Sequence, residues 1–191
     1  RTNNQVVFPS GKFVTYCTLA ELQACNDDDM KYDILESYQY ISYSDRHPYR
    51  DFVRKLYQKR LELKQNNDPM QQPIKIILNS IYGKTGQKVN RVIGNLFNPV
   101  IFSYITGFAR AQLYRFVQRY SLQRHVVAFA TDSICTTKKL DVNSTKLGEF
   151  SFDDSARDVF YLQNGFYRFN GKWKQRGLGK LGSKVIEHLN T

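Results

Sequence analysis

Cysteine is scarce. The chain has three, Cys17, Cys25 and Cys135, and no two form a CxxC pair. That argues against a disulfide framework and a thiolate zinc site, and for reduced cysteines in the core of a protein in a reducing compartment. The three histidines, His47, His125 and His188, are equally scattered, which argues against a zinc centre built on imidazole. Long apolar runs are missing: nothing approaches the roughly 18 residues of a membrane-crossing helix, and no signal peptide opens the chain. The expectation is a cytoplasmic chain, not secreted and not in a membrane. Internal repeats and low-complexity segments are absent. A starting methionine is absent too, and Arg1-Thr2-Asn3 reads as the interior of a longer polypeptide.

What is present is positive charge. The 191 residues carry a formal net charge of +11, with an apolar fraction of 41% that is ordinary for one globular core, or two lobes. The charge is uneven. Residues 1–45 hold three Lys/Arg against seven Asp/Glu, residues 46–91 eleven against three, and residues 92–191 fourteen against seven. Phosphate neutralisation is the sequence-independent part of nucleic-acid affinity, so a polyanionic partner is the natural inference. A basic surface that serves only solubility is the plainer alternative.

Local signals divide the chain. Gln5–Phe8, a Pro9-Ser10-Gly11 turn and Lys12–Tyr16 suggest a short hairpin. Thr18 with Glu21 three residues on is a capping box for a short helix. Asp27-Asp28-Asp29 reads as a solvated turn rather than a metal site. Tyr32–Ser42, with Ile34, Tyr38, Tyr40 and Ile41, favours a strand. A helix is expected from Pro48 to about Asn66, with Phe52, Val53, Leu56 and Tyr57 as its apolar stripe and Arg50, Arg54, Lys55, Lys59, Arg60 and Lys64 beside it. Asn66–Pro69 is a turn, and a second helix is expected over about Gln71–Tyr82, ending at Gly83. Such a short turn implies an antiparallel pair that brings Arg60 and Lys64 beside Lys75. Three converging cations suit a triphosphate.

The second helix carries the most informative stretch, Lys75-Ile-Ile-Leu-Asn79-Ser80-Ile-Tyr82-Gly83. Lys75, Asn79 and Tyr82 stand at i, i+4 and i+7 and share one helix face. A cation, an amide and a phenol on one wall suit a nucleoside triphosphate and its base pair. A long helix follows over about Val100–Tyr120, with Ile101, Ile105, Phe108, Ala109, Gln112, Leu113 and Phe116 spaced for burial. Val126–Ala130, a tight turn with Asp132, and a second strand read as a hairpin. Leu147–Phe150 and Val159–Leu162 read as strands. Gly165–Phe169 pairs with Lys172–Arg176 across Asn170-Gly171. Aromatics alternate with cations there, a pattern that suits a nucleic-acid backbone.

These segments, in this order, resemble family B DNA polymerases. Phe52-Val53-x3-Tyr57-x2-Arg60-x3-Lys64 is similar to the first fingers helix. Lys75-x3-Asn79-Ser80-x-Tyr82-Gly83 is similar to the second at every defining position. Asn98-Pro99 with Ile105-Thr106-x3-Arg110-x2-Leu113 looks like the following palm helix. Thr131-Asp132-Ser133 resembles the end of the metal-binding motif. Leu147-Gly148-Glu149-Phe150 and Lys174-x-Arg176-Gly177 are similar to strands leading to the primer–template contact.

The chain departs from the family in three places. Ala128, Phe129 and Ala130 stand where the metal hairpin has an aromatic, a variable residue and its first aspartate, so Asp132 fills only the second aspartate position, the more important ligand of the two. Gly165 stands where the contact motif ending at Tyr167 has a lysine. No Asp-x2-Ser-Leu-Tyr-Pro-like segment, which supplies the other metal-binding aspartate, precedes the fingers, and exonuclease carboxylate motifs are missing as well.

The resemblance implies an α+β fold: an antiparallel palm sheet with packed helices and a protruding antiparallel two-helix fingers hairpin. Residues 1–47 would be the N-terminal part of the palm and 48–83 the fingers. Residues 84–170 would be palm with the metal hairpin, and 171–191 the end of the palm and start of the thumb. It implies nucleotidyl transfer from a dNTP to a primer 3′ hydroxyl with two Mg2+ ions. Asp132 would be the catalytic metal ligand, completed by a carboxylate outside this chain. Arg60, Lys64, Lys75, Asn79 and Tyr82 would bind nucleotide; Gly83, Tyr167, Lys174 and Arg176 would bind DNA. The implied partners are primer–template DNA, dNTP and an N-terminal polymerase and exonuclease portion. A non-catalytic nucleic-acid-binding relic and one subunit of a split polymerase stay open. A primase or reverse transcriptase fits less well, because those enzymes lack the Lys75–Gly83 signature.

Overall fold

The computed structural model describes residues 11–27, 30–41, 43–90, 92–176 and 179–189. The hairpin half Gln5–Phe8, Asp28, Asp29, Ser42 and Gly177 lie outside the described residues. The fold is α+β, with five helices and small antiparallel sheets among the described residues. Two compact units are present: residues 1–45 with 79–111, and residues 46–78 with 112–191.

In the first unit, α1 (Leu19–Asn26) starts at the expected capping box. The Thr18 amide and hydroxyl both donate to Glu21 Oε2, at 2.8 and 2.9 Å. This end of α1 lies against α4 (Pro99–Arg119) at Gly107, where a Cβ would come within 2.2 Å of Thr18 Oγ1. Ala20, Ala24 and Ala111 are buried in the same unit. Small side chains let two helix backbones approach closely, and Glu21 Oε1 then accepts from Arg110 Nε at 2.6 Å. Burial alone would raise the Glu21 carboxyl pKa; hydrogen bonds from Arg110 and from the Thr18 amide and hydroxyl outweigh it and hold the value below normal.

The long helix covers most of the expected stripe: Leu113 is buried and Ile101, Ala109, Gln112 and Phe116 are half-buried, whereas Ile105 and Phe108 are exposed and Gly107, Ala111 and Val117 are buried in addition. Spacing gives a helix its period, whereas its neighbours decide which face is covered. Core cysteines are expected from the sequence, but Cys17 is exposed and Cys25 and Cys135 are half-buried, so none is a core residue.

Met30–Ile41 is not a strand. It has no strand partner among the described residues, and Ile34, Tyr38 and Ile41 are 63%, 78% and 71% exposed. β-branched and aromatic residues favour strands only where another strand supplies the ladder. Beyond it, β1 (Lys88–Val89) and β2 (Val92–Ile93) form a two-stranded ribbon.

In the second unit, α2 (Arg50–Gln65) ends as the turn signals required. Asn67 has φ 53°, the Asp68 amide bonds back to the Leu63 carbonyl at 2.8 Å, and the Asn67 amide bonds to the Lys64 carbonyl. This is the Schellman closure, with asparagine as the left-handed residue. Asp68 Oδ1 then accepts from the Met70 amide at 2.8 Å ahead of α3 (Gln71–Thr85). Helix α3 does not stop at Gly83, which sits inside it. It ends where Thr85, 1% exposed, donates its hydroxyl to the Tyr82 carbonyl. This end of α3, from Asn79 on, belongs to the first unit, where a Cβ at the next residue, Gly86, would lie 2.5 Å from the Phe102 ring.

Among the described residues the strands make three separate antiparallel sheets. β3 (Val126–Ala130) and β4 (Ser133–Thr136) form the expected hairpin. β5 (Val159–Gln163), β6 (Phe166–Phe169) and β7 (Lys172–Gln175) form an antiparallel trio. Asn170 and Gly171, at φ 48° and 72°, make the expected turn between β6 and β7. Leu147–Phe150 is a turn rather than a strand; Gly148 has φ 89° and only the bridge Asn143↔Ser151 flanks it. Helix α5 (Gly179–Leu189) lies against β7.

Candidate nucleotide and nucleic-acid interface

Helix α3 sorts most of its residues by face, although Ile76 and Ile77 are exposed. Lys75, Asn79 and Tyr82 are all exposed on one face. Ile74, Leu78, Ile81 and Thr85, at i, i+4, i+7 and i+11, are half-buried or buried on another. The polar triad is therefore free of the packing role that the apolar set performs. Gly83 has open space where a Cβ would sit, so nothing in the described protein requires glycine there.

On α2 the half-buried stripe is Val53, Leu56, Tyr57, Arg60 and Leu61. Arg60 thus lies on the packed side, and its Nε is buried without a hydrogen-bond partner among the described residues. A buried unpartnered guanidinium nitrogen is costly and suits a site awaiting an anion. Lys64 is exposed. The Tyr57 hydroxyl donates to the Thr145 carbonyl at 3.0 Å and fastens α2 to the loop after β4. No hydrogen bond or ion pair joins Asp132 to Arg60, Lys64 or Lys75 among the described residues.

Asp132 occupies the two-residue turn of the β3–β4 hairpin, closed by Ala130 opposite Ser133. The Ala130 carbonyl accepts from the Asp132 amide at 2.7 Å and the Ser133 hydroxyl at 3.0 Å. Thr131 has φ 55°, a conformation that costs a β-branched residue on the order of 1–3 kcal/mol. A strained, pinned turn therefore holds an exposed carboxylate that has no side-chain bond within the described chain.

Magnesium needs near-octahedral oxygen ligation. Among the described residues no group of three or more His, Cys, Asp or Glu could hold a metal ion. The described residues therefore do not make a two-metal site, and Asp132 is a single donor.

The β5–β7 sheet holds two of the expected DNA-contact residues, Tyr167 and Lys174, while Arg176 lies just past its end and Gly83 belongs to α3. Tyr167 and Lys174 are direct cross-strand partners. Lys174 Nζ lies 6.0 Å from the Tyr167 ring centre and 5.5 Å from that of Phe169. Tyr161, which the sequence reading passed over, stacks on Tyr167 at 5.8 Å. Burial, then Cys135 and Tyr167, push the Tyr161 phenol pKa up, and burial pushes the Cys135 thiol up. The alternation along β5 was the available signal for Tyr161. On the opposite face Arg168 lies 6.0 Å from both the Phe160 and Trp173 rings.

Arg176 is exposed, and its amide donates to the Gly165 carbonyl at 2.8 Å. Gly165 has φ 81°, and a Cβ there would lie 3.3 Å from the Arg176 Cβ. That accounts physically for glycine at this position: a side chain would be strained by the backbone and crowd Arg176.

Residues 1–93 match the family of type B DNA polymerases, organellar and viral. That match includes α2 and α3 but ends before the Asp132 hairpin. A DNA polymerase of Acidianus bottle-shaped virus (isolate Italy/Pozzuoli) is 28% identical over 153 residues, 75% of this chain and 22% of that protein. The chain thus spans about a fifth of the length of the curated relative it matches. No solved structure matches. The chain is related to the family B DNA polymerases. No helix among the described residues is long and apolar enough to cross a membrane.

Proposed function

We propose that this chain is a fingers-and-palm portion of a family B DNA polymerase and takes part in template-directed transfer of a nucleotide from a dNTP to a primer 3′ hydroxyl. The observation that carries this reading is α3, whose Lys75, Asn79 and Tyr82 are exposed together while the apolar set packs elsewhere. In this reading Lys75, Arg60 and Lys64 converge on the triphosphate. Arg60 supplies a guanidinium fork whose Nε has no partner among the described residues, and the lysines act as point charges. Asn79 and Tyr82 face the nascent base pair, and Gly83 lets the strand approach the helix. Tyr167, Lys174 and Arg176 hold primer–template DNA. Asp132 is this chain's share of a Mg2+ site that a carboxylate from an N-terminal polymerase and exonuclease portion, or from a separate subunit, would complete; bound metal would neutralise developing charge.

A second reading, a nucleic-acid-binding relic without catalysis, draws on Ala130 and the solitary carboxylate. Titration of the chain with a deoxynucleoside triphosphate tests the first. A charge-assisted phosphate contact contributes about 1.5–3 kcal/mol, so Lys75→Ala should weaken binding about ten- to a hundredfold. Unchanged affinity would remove α3 from the nucleotide site.

A further inference from the structure

The end of α4 and the open end of the β3–β4 hairpin form a cationic rim that the nucleotide site does not use. The frame is rigidly built. Ser121 takes φ 50°, its amide bonds to the Gln118 carbonyl, and the Leu122 amide bonds to the Val117 carbonyl at 2.9 Å. Leu122 is fully buried, and its carbonyl accepts from the His125 and Val126 amides at 2.8 and 3.0 Å. Across the hairpin, the Thr137 amide donates to the His125 carbonyl at 2.9 Å, and Lys138 Nζ donates to the Tyr120 carbonyl at 2.8 Å. Arg119, Arg124, Lys138 and Lys139 stand exposed on this frame. Asp141, the nearest acid in sequence, pairs with none of them among the described residues.

We propose that this rim grips the phosphate backbone of duplex DNA, as a contact separate from the Asp132 turn; the proposal rests on the polymerase reading. Four cations with no exposed Phe, Tyr or Trp in their own segments, 119–124 and 138–139, address phosphates rather than bases. A single strand would call for stacking platforms, but Tyr120 beside the rim already packs on Phe116 with ring centres 4.6 Å apart, and the His125 ring is held by Thr137 Oγ1 at 3.1 Å from Nδ1. Because hydrogen bonds fix the backbone that carries the charges, less ordering entropy is lost on binding. The five residues of β3, at about 3.3 Å each, place the rim roughly 17 Å along the hairpin from Asp132, about five base pairs of duplex at ~3.4 Å each.

The test compares the chain with Arg119→Gln/Arg124→Gln/Lys139→Gln and with a charge-matched control, Lys146→Gln/Arg157→Gln/Lys184→Gln. Matching circular dichroism would confirm that both are folded. Affinity for a duplex of about ten base pairs is measured across a salt series, and for a single strand of equal length. Three lost phosphate contacts should flatten the log–log salt slope on duplex by roughly 2.7, with a smaller change on single strand and in the control. A duplex slope no flatter than the control's overturns the rim, and an acidic protein surface becomes its better partner. Equal loss on single strand overturns the duplex assignment. Triphosphate binding measured in parallel separates the cases: intact nucleotide binding with an unaltered duplex slope sinks the rim alone, while a chain that binds neither sinks both the rim and the polymerase reading.

Discussion

Arg60 should trade stability for binding. It sits on the half-buried stripe of α2, with Nε buried and unpartnered among the described residues. An unsatisfied buried donor costs about 1–3 kcal/mol. Methionine has similar length, packs into irregular apolar space and carries no donor. Arg60→Met should therefore leave the folded chain unchanged or stabilise it by up to about 1 kcal/mol, a rise of roughly 2–4 °C in melting temperature for a chain of this size. The same substitution removes the guanidinium fork, so triphosphate affinity should fall about ten- to a hundredfold. Denaturant melts give the first quantity and nucleotide titration the second. A clear loss of stability with nucleotide affinity intact would refute the reasoning, because Arg60 would then be a packing residue whose charge serves the fold.

Gly107→Ala should destabilise the chain by about 1–3 kcal/mol, since its Cβ would collide with Thr18 and Glu21 where α1 meets α4; urea melts would show it. The Glu21 carboxyl has a lowered pKa when folded, so its contribution is present above the ordinary value of 4.5 and is lost as pH falls through the lower folded value. Acid melts should therefore show a stability loss below that point that Glu21→Gln largely lacks. If the two proteins lose stability in parallel, the Glu21–Arg110 pair is not the cause.

Signals that act within a few residues were legible in the sequence. The capping box at Thr18, the Asn66–Pro69 turn, the Asn170-Gly171 hairpin and the α3 face each depend on neighbours three or four positions away, and each formed. Features that depend on a distant partner were not legible. Tyr32–Ser42 has strand composition, but composition supplies no second strand. Helix α4 has the expected period, yet its contact with α1 through Gly107 adds Gly107 and Ala111 to the buried side, while Ile105 and Phe108 of the expected stripe are exposed. The end of α3 was misplaced at Gly83 because glycine often closes a helix, whereas here Thr85, held by the Tyr82 carbonyl, comes at the last turn. At the candidate site, the motifs named the side chains. They did not reveal the orphaned Arg60 nitrogen, the left-handed Thr131 beside Asp132, or the stacking of Tyr161 on Tyr167, all of which arise from packing.

Primer extension with and without the Asp132 carboxylate tests the central claim most directly. One carboxylate does not hold two metal ions, so the 191-residue chain alone should be inactive or nearly so. A polypeptide joining it to a segment that supplies a second metal-binding aspartate should extend a primer. In that polypeptide Asp132→Asn should remove activity by on the order of three powers of ten or more, while Ala130→Asp should be mild. Robust extension by the chain alone would mean that the second carboxylate lies within it. An Asp132→Asn protein as active as its parent would make the hairpin a structural turn and leave the non-catalytic reading as the better account.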